Sequence, residues 1–174
     1  MTTFSPHETS YVAWQNRATD FYLASRRLYQ SDLLRPAAYC AVMALELLLK
    51  ATLVYWDRKF DPEAAGHAMA KLARMVGNKV PNSEDIEIPE YFYFDQRYLT
   101  ASRYPRGTKG IGIPSSFLPD LDHIYAQLVA TVPFQYNTEL KRILAGRSRT
   151  KLNDLRRNNR ALRTLRRYLK VSIK

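Results

Sequence analysis

Disulfide chemistry is the first thing this sequence excludes. Its 174 residues hold one cysteine, Cys40, with no partner for an internal bridge. No signal peptide is recognisable at the start, and the two features together predict a reducing, cytoplasmic setting. Cys40 sits inside an apolar helical stretch, where a thiol is a small core residue rather than a nucleophile. Metal and cofactor chemistry also lack support. Of the three histidines, His7, His67 and His123, the first and last have no acidic or cysteine companions at metal-ligand spacing, and neither a metal site nor a cofactor is expected. The spacings of a phosphate loop, a nucleophile elbow, a zinc-protease helix and a dinucleotide fingerprint are all absent. There is no internal repeat, no low-complexity segment and no strand-like alternation, which leaves an all-helical chain.

A long hydrophobic run is missing too, by a narrow margin. The stretch from Ala37 to Trp56 is apolar on almost every side, but Glu46 and Lys50 interrupt it short of the roughly 20 uncharged residues of a membrane span. It predicts a central helix packed on several faces, with no membrane partner. Glu46 and Lys50 are four apart and share a face. A charge in such surroundings is costly unless paired or hydrogen-bonded, so something must meet Glu46.

Around that rod the chain reads as helices in succession. From about Glu8 to Gln30, Tyr11, Trp14, Ala18, Phe21, Tyr22, Ala24 and Leu28 recur at helical spacing, with Gln15, Asp20, Arg26 and Arg27 between them. The short link at Ser31–Asp32 and Pro36 predicts that the first two helices lie antiparallel. Asp61-Pro62-Glu63 has the chemistry of a helix start, and Gly77 that of a stop. An aromatic helix is expected from about Pro89 to Ala101 and another from Ser115 or Ser116 to Pro133, with a glycine- and proline-containing loop from Arg103 to Pro114 between them. A short helix from Thr138 to Ala145, stopped by Gly146, precedes a longer one from about Thr150. That last helix carries a stripe of Leu152, Leu155, Leu162, Leu165 and Leu169, interrupted by Asn158 and Asn159.

Charge divides the chain in two. Residues 1–136 hold 14 basic and 14 acidic residues, whereas residues 137–174 hold 13 basic residues against Glu139 and Asp154. The entire formal net charge of +11 therefore belongs to the last segment. The expectation is a helical bundle over 1–136 and a basic helical extension over 137–174. Arg147, Arg149, Lys151, Arg156, Arg157, Arg160, Arg163, Arg166 and Arg167, with Lys170, cover all but the leucine face. Such a surface suits salt-sensitive, sequence-tolerant nucleic-acid binding. The alternatives are a helix that packs its leucines on the bundle or a second subunit and solvates its charges, and an anionic membrane surface, for which only Tyr168 offers an anchor.

The succession AAYCAVMALELLLKATL, GHAMAKLARMV, an aromatic helix ending in SRYP, and FLPDLDHIYAQL resembles the HEPN superfamily over roughly Glu8 to Val132. Glu46 and Lys50, Gly66-His67 and Ser102-Arg103-Tyr104-Pro105 carry the likeness. It implies an up-and-down bundle of four to five helices, usually a homodimer with a cleft at the interface. Many members are metal-independent endoribonucleases of toxin–antitoxin, abortive-infection and CRISPR systems. Others bind RNA or nucleotides without catalysis, or partner a minimal nucleotidyltransferase. Active members share an arginine followed, after four to six residues, by a histidine. Here Arg97, Arg103 and Arg106 have no such histidine, and arginine does not exchange protons near neutrality.

The expected cleft is therefore a binding one. Arg97, Arg103 and Arg106 would hold phosphate, Tyr98 and Tyr104 would stack on bases, and Glu46 with Lys50 would set the geometry. A plainer account has the arginines cap helix carbonyls, the tyrosines pack in the core, Glu46 fix helix register against Lys50 or an arginine such as Arg103, and His67 serve as a core or capping residue. The reading that results is a non-catalytic RNA- or nucleotide-binding protein of a bacterial toxin–antitoxin or defence system. Its alternatives are an endoribonuclease in which a cleft arginine or tyrosine replaces histidine, and a scaffold for a nucleotidyltransferase.

Overall fold

The computed structural model describes residues 6–81, 83, 86–93, 113–135 and 138–170, and among these it forms seven α-helices, one 3-10 turn and no strand. Helices α1 (Pro6–Gln30) and α2 (Leu34–Trp56) form the central pair. They are antiparallel. Ser25 Oγ donates to the Ala37 carbonyl at 2.8 Å near one end, and Tyr11 meets Tyr55 edge-on at 5.3 Å near the other. The reversal is built from the end of α1 itself. The Leu33 N–H bonds back to the Leu28 carbonyl and Asp32 N–H to that of Tyr29, with Asp32 in the left-handed region at φ 59°. This satisfies the last carbonyls of α1 with a side chain that tolerates that conformation better than most.

Helix α2 is buried along most of its length, as a stretch apolar on all sides must be. By length and composition it could cross a membrane, but 83% of its most apolar window is buried within the fold. Its neighbours are α1, α3 (Met69–Lys79) and α4 (Phe117–Thr131). Helix α3 offers Met69, Leu72 and Val76, three residues on one face, and α4 offers Leu121, Ile124, Tyr125 and Leu128.

Before Pro133 the boundaries differ from the sequence expectation at three places. Asp61 does cap a turn, its Oδ1 accepting from the backbone N–H of Glu63 and Ala64. That turn ends at Gly66, whose φ of 70° breaks it, and α3 begins only at Met69. Gly77 does not stop the helix, which continues to Lys79. The described part of the aromatic segment is a 3-10 turn, Glu90–Phe92, followed by non-helical Tyr93, and the rest of the expected helix lies outside the described residues. Phe92 packs on Phe117 at 5.2 Å, and the Tyr91 hydroxyl donates to Asp120. Burial first, and then that carboxylate, push Tyr91 up to about 12.

After Pro133 come α5 (Glu139–Leu144), α6 (Arg149–Arg156) and α7 (Leu162–Leu169). Gly146, at φ 82°, ends the turn after α5 as expected. The single long tail helix is instead two, because Asn158 takes a φ of 54° and turns the chain between them. Leu140, Ile143, Leu155, Leu165 and Leu169 enter the same hydrophobic cluster as α2 and α4, so the segment after residue 137 shares the core of what precedes it.

Two residues that the α1 pattern assigns to the polar side are buried. Gln15 donates to the Pro133 carbonyl at 3.0 Å, and Arg26 is fully enclosed. Their spacing shows why: Tyr11, Gln15, Ala18, Tyr22 and Arg26 follow one another at three or four residues, a single stripe of the helix.

Candidate functional site

Glu46 is met by two nitrogen groups. Its Oε1 lies 2.9 Å from Lys50 Nζ, one turn along α2, and 2.9 Å from His67 Nδ1, delivered by the turn that Gly66 breaks. The Lys50 ammonium also sits 5.6 Å from the centroid of the Trp14 ring of α1. Glu46 and Lys50 are buried, whereas the His67 side chain is 53% exposed. The sequence places His67 in the core or at a cap; the structure gives it neither role. With Nδ1 held by a buried carboxylate, its ring has a fixed orientation. The partners expected beside them, Arg97, Tyr98, Arg103, Tyr104 and Arg106, lie outside the described residues.

The basic segment is arranged by its leucines. With Leu152, Leu155, Leu165 and Leu169 buried, Arg147, Arg149, Arg156, Arg157, Arg160, Arg163 and Arg167 are left exposed, and Arg166 is half-buried. Lys151 differs from the rest, because its Nζ is 2.8 Å from Glu139 and 3.0 Å from Asp20. Hydrogen bonds to Glu139 and then Asp20 hold its pKa above the ordinary lysine range. It ties α6 to α5 and α1 and is less available to an outside phosphate than its neighbours.

A polar cluster that the sequence reading misses joins α1, α4 and the basic segment. Arg26 of α1 donates to both carboxylate oxygens of Asp122 on α4, and also to the carbonyls of Asp154 and Arg157 at the end of α6. The Tyr22 hydroxyl donates to Asp122 at 2.6 Å and accepts from Asn159 at 2.9 Å, while its ring stacks on Tyr125 at 3.9 Å. Burial, then the Asp122 charge, push Tyr22 well up. Burial pushes Asp122 up more than Arg26 pulls it down, and for Arg26 the effect of burial is outweighed by Tyr22 and Asp122, which hold it above its ordinary range. The signal was present in the stripe spacing of α1, but a charged residue on a buried face reads as polar surface unless its partner, here 96 residues away, is known.

No cluster of potential metal ligands occurs among the described residues. Comparison with protein-family models, with curated proteins and with solved structures gave no match for this chain.

Proposed function

We propose that this protein is an RNA- or nucleotide-binding helical bundle of the HEPN kind, lacking the family's arginine–histidine pair, and that it works as a homodimer in a bacterial toxin–antitoxin or defence system. The observation that carries the binding reading is the outward presentation of the arginines on α6, α7 and the turn between them. The leucine face of this segment is already used by the core, and Arg149, Arg156, Arg157, Arg160 and Arg163 face solvent. Guanidinium groups in that number attract a phosphate backbone through charge and displaced counterions, with little dependence on sequence.

The test is fluorescence anisotropy of a labelled single-stranded RNA against the full chain over a salt series. Affinity is expected to fall linearly on logarithmic axes, and replacing Arg160, Arg163 and Arg167 together by Gln to reduce the slope by about 2, at about 0.7 per phosphate contact. Absence of binding at low salt would remove the reading.

The endoribonuclease alternative gains one specific support, the Glu46–His67 contact at 2.9 Å. A histidine fixed through Nδ1 could take the 2′-hydroxyl proton of RNA through Nε2, and no metal is needed for that step. Cleavage in EDTA by the full chain, lost in His67→Ala with the fold retained, would establish this alternative over simple binding.

A further inference from the structure

At the end of the bundle where α2, α4 and α7 finish together, Trp56 and Tyr168 border one groove of about 300 Å³. That volume is at the lower end of the range for small-ligand sites, about 300 to 1,000 Å³. Among the described residues only three large hydrophobic side chains are exposed, and two of them, Trp56 at 44% and Tyr168 at 41%, stand here. The indole N–H of Trp56 donates to the Thr131 carbonyl at 2.7 Å, and Tyr55 supports the ring edge-on at 5.4 Å, so the ring is held in place while much of its surface stays open. Val132 and Leu169 supply an apolar floor, and Lys141 is the charged residue of the lining. Burial first and the neighbouring Lys170 second lower the pKa of Lys141. The Arg167 guanidinium lies over the Tyr168 ring, 5.2 Å from its centroid, which puts one exposed arginine of α7 at the groove and leaves Trp56 the freer ring.

Open aromatic surface beside the Lys141 ammonium has a definite complement: a planar ring carrying an anion. We propose that this groove takes one unstacked base of a single-stranded RNA, which stacks on Trp56 or Tyr168 while its phosphate meets Lys141. The inference rests on the RNA-binding reading above and specifies where a base, as distinct from the backbone, is recognised. Aromatic stacking of this kind tolerates any base and is lost in a duplex, whose bases already stack on one another. An apolar anion such as a fatty carboxylate would use the floor and Lys141 but would not need two open rings.

The deciding experiment compares binding of the full chain to a labelled oligouridylate and to an abasic strand of the same length and charge. Stacking predicts that the oligouridylate binds more tightly, and that Trp56→Leu and Tyr168→Leu each weaken it about tenfold while leaving the abasic strand unchanged. Trp56→Phe, which keeps a stacking face, is expected to bind within about threefold of the natural protein and separates loss of stacking from loss of fold. If both strands bind equally well, and the leucine variants change neither, the groove proposal is overturned while the tail reading stands. If neither strand binds at low salt, both fall together. Protection of Trp56 emission from quenching by decanoate, with no effect of uridine monophosphate or the oligomer, would also overturn it in favour of an acyl ligand.

Discussion

Arg26 on the first helix and Asp122 on the fourth meet as a fully enclosed ion pair, and the same guanidinium caps the last carbonyls of α6. One side chain thus joins the start of the chain, the closing helix of the bundle and the basic segment. Removing one partner of such a pair leaves a buried charge without compensation, which costs about 3 to 5 kcal/mol. Asp122→Asn is therefore expected to lower the unfolding free energy by that order in a urea titration. The double change Arg26→Met with Asp122→Leu should cost much less than the sum of the single changes, because no charge is left unpaired. Additive effects would mean that the pair does not form.

The leucines of the basic segment are core residues. Leu155 and Leu165 are wholly buried, so truncating either to alanine is expected to cost about 2 to 5 kcal/mol, as for other core leucines. A chain ending at residue 136 should accordingly lose much of its thermal stability, because it exposes the apolar surface that α5 to α7 cover. Circular dichroism melts of the shortened chain would show this. A cooperative melt at the full-length temperature would mean that the segment contributes nothing to the core.

Gly77 lies within α3 at an ordinary helical φ, and an added Cβ would meet nothing within 4 Å. Gly77→Ala should stabilise the protein by about 0.5 to 1 kcal/mol, since alanine loses less backbone freedom in a helix. A denaturation midpoint that stays put or falls would indicate that α3 is not helical there.

Glu46 and His67 should separate sharply in a stability assay although they touch. Glu46→Gln leaves the Lys50 ammonium buried without its carboxylate and is expected to destabilise by several kcal/mol. His67→Ala removes a half-exposed ring at a turn, where most changes stay within about 0.5 kcal/mol. If the histidine variant unfolds as readily as the glutamate one, His67 is structural.

The Lys151 ties contribute at the acidic and neutral side of the lysine range. Its folded pKa is raised above the ordinary value of 10.5, so the stabilisation is complete below that value and is lost as pH rises through the folded one. Because the side chain is 40% exposed, solvent screening limits the effect to about 1 kcal/mol or less. Lys151→Met should flatten the decline of stability above pH 10 relative to the natural protein. An unchanged decline would place its cause in other groups.

Much of the scaffold is legible in the sequence. The all-helical class, the buried rod around Glu46 and Lys50, the antiparallel first pair and the Gly146 stop follow from periodicity, turn chemistry and the cost of a lone buried charge, all local properties. Asp61 shows the limit of local reading. Its capping chemistry is real, yet the turn it begins is cut short by Gly66, and His67 is brought to Glu46. Asn158 is similar: the interrupted leucine stripe was visible, but whether the chain bends there depends on what the leucines pack against.

What the sequence determined by itself is the list of apolar faces and the concentration of positive charge after residue 137, because spacing and charge count need no knowledge of neighbours. Tertiary structure decided which polar residues are enclosed and what each one meets. Arg26 became a buried clamp, Lys151 a tie and His67 the partner of Glu46. A charge can be buried only where an opposite charge or a set of carbonyls converges on it, and here those groups come from as near as four residues, for Lys50 and Glu46, to as far as 131, for Arg26 and the Arg157 carbonyl.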